Sequence, residues 1–212
     1  MNDIIKNARK DALTLVAFAA VFTLVMAFVY QITKAPIEKS EAEARMALFA
    51  QIIPPNIHDN DVLKDAITIA PSPLLGNKQP TIANRARLNN QPQAIILEAI
   101  APDGYSGDIK LLIAIKYDGS VSGVRVLTHK ETPGLGDYIE IAKNDWIKLF
   151  DGESLTQTND AGWKVKKDGG KFDYMAGATI TPRAVVKAVH KALQYFEANK
   201  AQLFAEGAKP NE

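Results

Sequence analysis

The sequence predicts an α+β protein: one apolar N-terminal transmembrane helix, then a domain with an antiparallel sheet and flanking helices. Three observations carry this. Residues 12–32 contain no charge. Residues 94–100, 110–117 and 121–127 are rich in β-branched and apolar side chains, and Asp118-Gly119 between the last two is a strong hairpin signal. After Pro182, Val185, Val189, Leu193 and Phe196 recur at helical spacing and line one face.

In chain order, residues 1–11 form a short polar head with Lys6, Arg9 and Lys10. At about 1.5 Å rise per residue, residues 12–32 cover the roughly 30 Å of a bilayer's hydrocarbon core. Tyr30 and Gln31 close the run, where an amphipathic ring suits the interface. Val25-Met26-Ala27 resembles a signal-peptide cleavage site, but the apolar run continues past it. Lys34, Lys39 and Arg45 follow closely, so the positive-inside bias is weak. The short head favours a cytoplasmic start, which places the main domain outside the inner membrane, on the periplasmic side of a single-pass protein.

Residues 33–80 read as a helical stalk and connector. Ala35-Pro36 opens a second helix with Met46, Phe49 and Ile53 at helical spacing, and Pro54-Pro55 ends it. Pro71, Pro73, Gly76 and Pro80 give the remainder the composition of a loop. The main domain is expected over residues 81–205, with a frayed tail at 206–212. Within it, Gly104-Tyr105-Ser106-Gly107 reads as a plain strand connection. Residues 144–150 read as a short helix burying Trp146 and Leu149, and residues 164–172 as a hairpin turning at Gly169-Gly170.

Two stretches carry chemistry. Residues 129–137, His-Lys-Glu-Thr-Pro-Gly-Leu-Gly-Asp, form a loop with one rigid residue, two flexible ones and an exposed leucine. Such a loop can bring its backbone close to a flat ligand and offer N–H groups to it. His129 reads as a satisfied surface histidine without a catalytic role. Residues 173–182, Asp-Tyr-Met-Ala-Gly-Ala-Thr-Ile-Thr-Pro, place two threonines among small residues before the final helix. Thr181 before Pro182 reads as its cap, with Pro182 the first helical residue. Thr179 then lies just ahead of a helix N-terminus, where exposed N–H groups and the positive end of the dipole favour a phosphate. By itself the stretch is an ordinary turn into a helix.

Composition excludes several classes. The 212 residues, 47% apolar and 23% charged, hold one ordinary domain plus appendages. A net charge of +1 argues against a nucleic-acid surface. Without cysteine the chain makes no disulfide, binds no iron–sulfur cluster and attaches no c-type haem. His58, His129 and His190 are scattered, so no metal site is expected. No catalytic residue is assigned.

Asp173-x-x-Ala176-Gly177-Ala178-Thr179 resembles the flavinylation motif Asp-x-x-Ser/Thr-Gly-Ala-Thr of the FMN-binding domain family, with Ala176 departing from it. Glu131-Thr132-Pro133-Gly134-Leu135-Gly136 is similar to the loop beside the flavin in that family. Nearly the whole chain resembles the G subunits of Rnf (Rsx) ion-translocating electron-transport complexes, least so between residues 54 and 80. The related C subunits of sodium-translocating NADH:quinone reductases share the anchor and both motifs but are typically longer.

The resemblance implies covalent FMN, joined as a phosphoester to Thr179 by a separate flavin transferase, and an electron-carrying role among other subunits of a membrane complex. It makes Glu131, Thr132, Leu135 and Gly136 contacts of the flavin ring. Gly177 and Ala178 become the small neighbours that let flavin and transferase approach. Asp173 becomes a recognition residue for the transferase, although a carboxylate capping a turn accounts for it equally well. No histidine or lysine motif stands beside Thr179 to activate its hydroxyl, so another enzyme is expected to perform the attachment. Two other readings stay open: an extracytoplasmic binding module without redox chemistry, and a scaffold protein of the complex that has lost its flavin.

Overall fold

Two long helices bracket five strands. The computed structural model describes residues 2–205; the expected tail at 206–212 lies outside the described residues. Helix α1 spans Asn2–Ile52 and helix α2 spans Ile180–Leu203. Between them run β1 (Ala66–Ile69), β2 (Thr81–Leu88), β3 (Gln91–Gly104), β4 (Gly107–Lys116) and β5 (Val121–Thr128). The chain divides into two units after Met46, so the last turns of α1 belong to the second unit.

The first unit is helical throughout its described residues. Its apolar side chains are uncovered: Leu24 is 70% exposed and Phe22 66%. Among the described residues α1 is the one helix long and apolar enough to cross a membrane, with a mean hydropathy of 2.6 over its best window. Its threonine hydroxyls are satisfied internally, since Thr14, Thr23 and Thr33 each donate to the carbonyl four residues back at 2.8–2.9 Å. That is the arrangement an apolar solvent requires.

The expected new helix start at Pro36 is not found, because α1 runs through it. Proline removes one backbone donor and crowds the carbonyl of Ile32, a cost of about 3 kcal/mol. Good helix formers surround it, and Lys34–Glu38 and Lys39–Glu43 pair across one turn at 3.9 and 3.8 Å. The helix ends at Ile52, just before Pro54-Pro55.

The second unit is built on an antiparallel meander in the order β1-β2-β3-β4-β5. Leu97 pairs with Ile113, and Ile113 with Val124. Leu111, Ile113 and Ile115 join Val185, Val189, Leu193 and Phe196 of α2 in the main core. Leu112 and Ala114 point to the other face, into a cluster with Phe49, Ile52, Ile53 and Val62. Both faces being covered, β4 reads as a continuous apolar run and not as an alternation. Each fully buried Leu or Ile contributes about 1.5–3 kcal/mol.

Close approach on the second face depends on Gly123, where a Cβ would lie 3.0 Å from the Cβ of Ile52. Buried Arg125 secures the same junction: its Nε donates to Gln51 Oε1 at 2.9 Å and its Nη2 to the Gln51 carbonyl at 3.1 Å. A guanidinium there satisfies a carbonyl in the last turn of α1. Burial lowers the Arg125 pKa from its ordinary value.

The three expected strands are present, and Asp118-Gly119 turns β4 into β5, with Asp118 Oδ1 accepting from Ser120 N at 2.8 Å. Strand β1 lies inside the segment expected to be only connector. It is four residues long, and the prolines following it masked it. The β2–β3 hairpin turns on Asn89 and Asn90, at φ of 50° and 61°, which asparagine tolerates.

Two local expectations are corrected. Residues Asp145–Phe150 form a 3-10 helix in which Trp146, Ile147 and Phe150 are buried, whereas Leu149 is 39% exposed. Residues 164–172 form no antiparallel hairpin: Val165 and Phe172 meet in a parallel bridge, with a 3-10 turn at Lys166–Asp168 between them. Phe172 and Trp163 then pack against Phe150, at centroid distances of 4.8 Å and 6.4 Å.

Candidate functional site

A cleft of about 330 Å³ opens where the β3–β4 turn, the loop after β5 and the start of α2 meet. Its lining includes Glu131, Thr132, Leu135 and Gly136 from the loop, and Gly177, Ala178 and Thr179 ahead of α2. Seven residues singled out in the sequence thus share one cavity, although the two groups are more than forty positions apart. Tyr105, Ile180 and Thr181 complete the lining. The volume falls at the lower end of the roughly 300–1,000 Å³ of small-molecule sites.

The loop is shaped by its own hydrogen bonds. Thr132-Pro133-Gly134-Leu135 is a four-residue turn, with Leu135 N–H donating to the Thr132 carbonyl at 3.1 Å. Proline at the second position and Gly134 at the third, with φ of 77°, are what a type II turn demands. Gly136 N–H donates to the same carbonyl at 3.0 Å, and Gly134 N–H to Asp137 Oδ1 at 2.8 Å. The expectation that these N–H groups are free for a ligand is therefore corrected. The loop offers a preformed surface, with Leu135 47% exposed on it.

Glu131 is no solvated carboxylate. It is 4% exposed, and its oxygens accept from Ser106 N at 3.0 Å, Tyr105 N at 3.3 Å and the Thr181 hydroxyl. Its own N–H donates to His129 Nδ1 at 3.0 Å, leaving the imidazole proton on Nε2, 2.5 Å from Glu140 Oε1. His129 thus braces the loop. Gly136 has no room for a side chain: a Cβ would lie 2.8 Å from Glu131 Cβ and 2.9 Å from Thr181 Oγ1.

The start of α2 differs from the sequence expectation by two residues. The helix begins at Ile180, and Thr179, not Thr181, takes the N-cap position. Thr181 is 1% exposed, and its hydroxyl is committed to Glu131. A buried carboxylate with lone pairs to satisfy outweighs the gain from a cap. Thr179 occupies the cap position without a side-chain capping bond. Thr179 lines the cleft, half-buried, and the first turn of α2 carries no acidic residue of its own, the Glu131 carboxylate bonded to Thr181 being the negative group beside it.

Met175-Ala176-Gly177-Ala178 forms the approach to Thr179, with Ala178 N–H donating to the Met175 carbonyl at 3.1 Å. Gly177 has φ of 86°, the left-handed region that a side chain disfavours. Trp146 Nε1 donates to the Asp173 carbonyl at 2.7 Å, and Met175 N–H to Tyr138 Oη at 3.3 Å. Burial pushes the Tyr138 phenol up to about 12. Asp173 is outside the cleft lining; its side chain is 57% exposed and pairs with Lys166 at 2.5 Å. Among the described residues no cluster of three potential metal ligands occurs.

Together, an apolar helix long enough to cross a membrane and a small α+β domain whose cleft ends on Thr179 fit a membrane-anchored protein with a ligand-binding domain. The FMN-binding domain family matches residues 104–194, and the N-terminal region of the RnfG family matches residues 1–52. The chain is 52% identical over 201 residues to the G subunit of the ion-translocating oxidoreductase complex of Pseudomonas aeruginosa strain UCBPP-PA14, covering 94% of both proteins. The corresponding protein of Vibrio atlanticus strain LGP32 is 44% identical over 93% of this chain and 94% of its own length. That of Shewanella piezotolerans is 46% identical over 94% of each. The chain belongs to this family, the G subunits of ion-translocating oxidoreductase complexes.

Proposed function

We propose that the chain is the electron-carrying subunit of a membrane complex coupling electron transfer to ion translocation, with FMN held as a phosphoester on Thr179. One observation carries this reading. In a single cleft, Thr179, whose side chain makes no capping bond, stands at the start of α2, whose first turn carries no acidic residue of its own, beside a preformed loop that exposes Leu135. The residues suit the group. The helix start, with Thr181 N–H among its orphan donors, suits a phosphate, and exposed Leu135 offers apolar surface to a flat ring.

FMN bound there supplies one- and two-electron redox chemistry. The chain's own part is to fix and shield it. Thr179 Oγ1 would form the phosphoester as the phosphoanhydride bond of a flavin dinucleotide breaks, the nucleoside monophosphate leaving and the hydroxyl proton passing to a base of the transferase. No histidine or lysine lines the cleft, and the Glu131 carboxylate there is held by Thr181 and the β3–β4 turn, which supports attachment by a separate transferase. Exposed Asp173 and the open turn at Ala176 and Gly177 are accessible to such an enzyme.

In this reading, residues 12–32 cross the inner membrane, and the FMN-binding domain at 81–205 faces the periplasm together with the residues from Ala47 onward, β1 included, that fold into the same unit. Other subunits of the complex are the redox partners. The test is production with and without a flavin transferase, followed by denaturing electrophoresis under ultraviolet light. A fluorescent band that requires the transferase supports covalent flavin. A dark band in both cases favours a binding module or a scaffold without flavin, and a band restored by Ala176→Ser would assign the loss to that departure.

A further inference from the structure

The β3–β4 turn presents an arrangement that a plain strand connection does not need. Tyr105 is 68% exposed, yet its backbone is held from beneath by a carboxylate that is only 4% exposed. Glu131 accepts from both Tyr105 N and Ser106 N. Gly104 cannot carry a side chain, since a Cβ would meet the Gly107 carbonyl oxygen at 2.2 Å and Glu131 Oε1 at 3.0 Å. Gly107 itself has φ of 120°. Burying a carboxylate is costly unless donors satisfy it, and two of the three donors to this one come from the turn.

What the turn positions is a ring. Tyr105 is the one aromatic side chain among the residues lining the cleft. We propose that Tyr105 is an aromatic wall of the flavin site, and that Glu131 is the positioning residue that sets it there. The inference rests on the flavin reading above and deepens it. Glu131 acts through two elements at once, since the same carboxylate also takes the Thr181 hydroxyl of α2. The ring of Tyr105 is thereby referenced to the helix that carries Thr179. Aromatic rings prefer offset stacking or edge contact with a neighbouring π-system, and a tyrosine in contact with a flavin quenches its fluorescence by electron donation.

The experiment uses the full-length flavinylated protein in detergent and reads flavin fluorescence lifetime, with intact mass measured on every sample. Tyr105→Ala is expected to retain the flavin mass and lengthen the dominant lifetime several-fold. Tyr105→Phe is expected to lengthen it as well, while keeping the ring protected from iodide quenching, which Tyr105→Ala loses. Glu131→Ala should reproduce the lifetime of Tyr105→Ala, and the double variant should add nothing, as for two residues acting through one contact. Glu131→Gln keeps a single acceptor oxygen where Tyr105 N and Ser106 N use one each, so it should fall between wild type and Glu131→Ala.

An unchanged lifetime and unchanged iodide access in Tyr105→Ala that carries the flavin mass would overturn the proposal. So would a Glu131→Ala effect that adds fully to that of Tyr105→Ala. Absence of flavin mass from the wild-type protein would instead overturn the flavin reading itself, so the two failures are distinguishable.

Discussion

Thr179 and Thr181 lie two positions apart and do opposite things. Thr181 is buried, and its hydroxyl satisfies Glu131. Thr181→Val keeps the shape but leaves that carboxylate short of a donor, so the expected loss is about 1–3 kcal/mol, read from a shifted denaturant midpoint with flavin attachment retained. Thr179 makes no capping bond. Thr179→Val should therefore change stability by no more than about 0.5 kcal/mol while abolishing covalent flavin. Gly136→Ala tests the packing of the loop against Glu131 and Thr181. Its φ of −87° suits any residue, but the added methyl meets Glu131 and Thr181 at under 3 Å, and overpacking of this kind costs about 1–3 kcal/mol. A midpoint unchanged in Gly136→Ala would show that the contact relaxes freely.

At the scale of elements, the cleft is made by three connections on a rigid sheet. The Gly134 and Leu135 N–H groups of the Thr132–Leu135 turn are bonded within the loop, so Leu135 acts by surface contact. Leu135→Ala should leave attachment intact and shift the flavin's absorption spectrum and reduction potential; identical values would remove the loop from the site. The sequence revealed those elements whose local chemistry is self-sufficient: the uncharged helix, the Asp118-Gly119 hairpin and the apolar stripe of α2. It misled where a distant partner decides. Thr181 has every local sign of a cap, and only Glu131, fifty residues earlier, explains why it does not serve as one. A short helix read from the sequence buries Leu149, but the 3-10 geometry turns Ile147 and Phe150 inward instead. Tyr105 gave no signal, because its significance lies in what its backbone is tied to.

For the whole molecule, one apolar helix and one α+β unit divide the work between membrane and cofactor. Because the chain has no cysteine, single introduced thiols report sidedness without background. Lys78→Cys, on an exposed part of the connector, should react with a membrane-impermeant maleimide applied to spheroplasts, whereas Lys10→Cys should react only after lysis. The reverse pattern would turn the domain to the cytoplasm. The central claim is the covalent link. Its most direct test is the intact mass of the protein produced with a flavin transferase, followed by fragmentation of the modified peptide. The account predicts an increment equal to FMN less water, placed on Thr179. An unmodified chain, or an increment placed on Thr181, would contradict it.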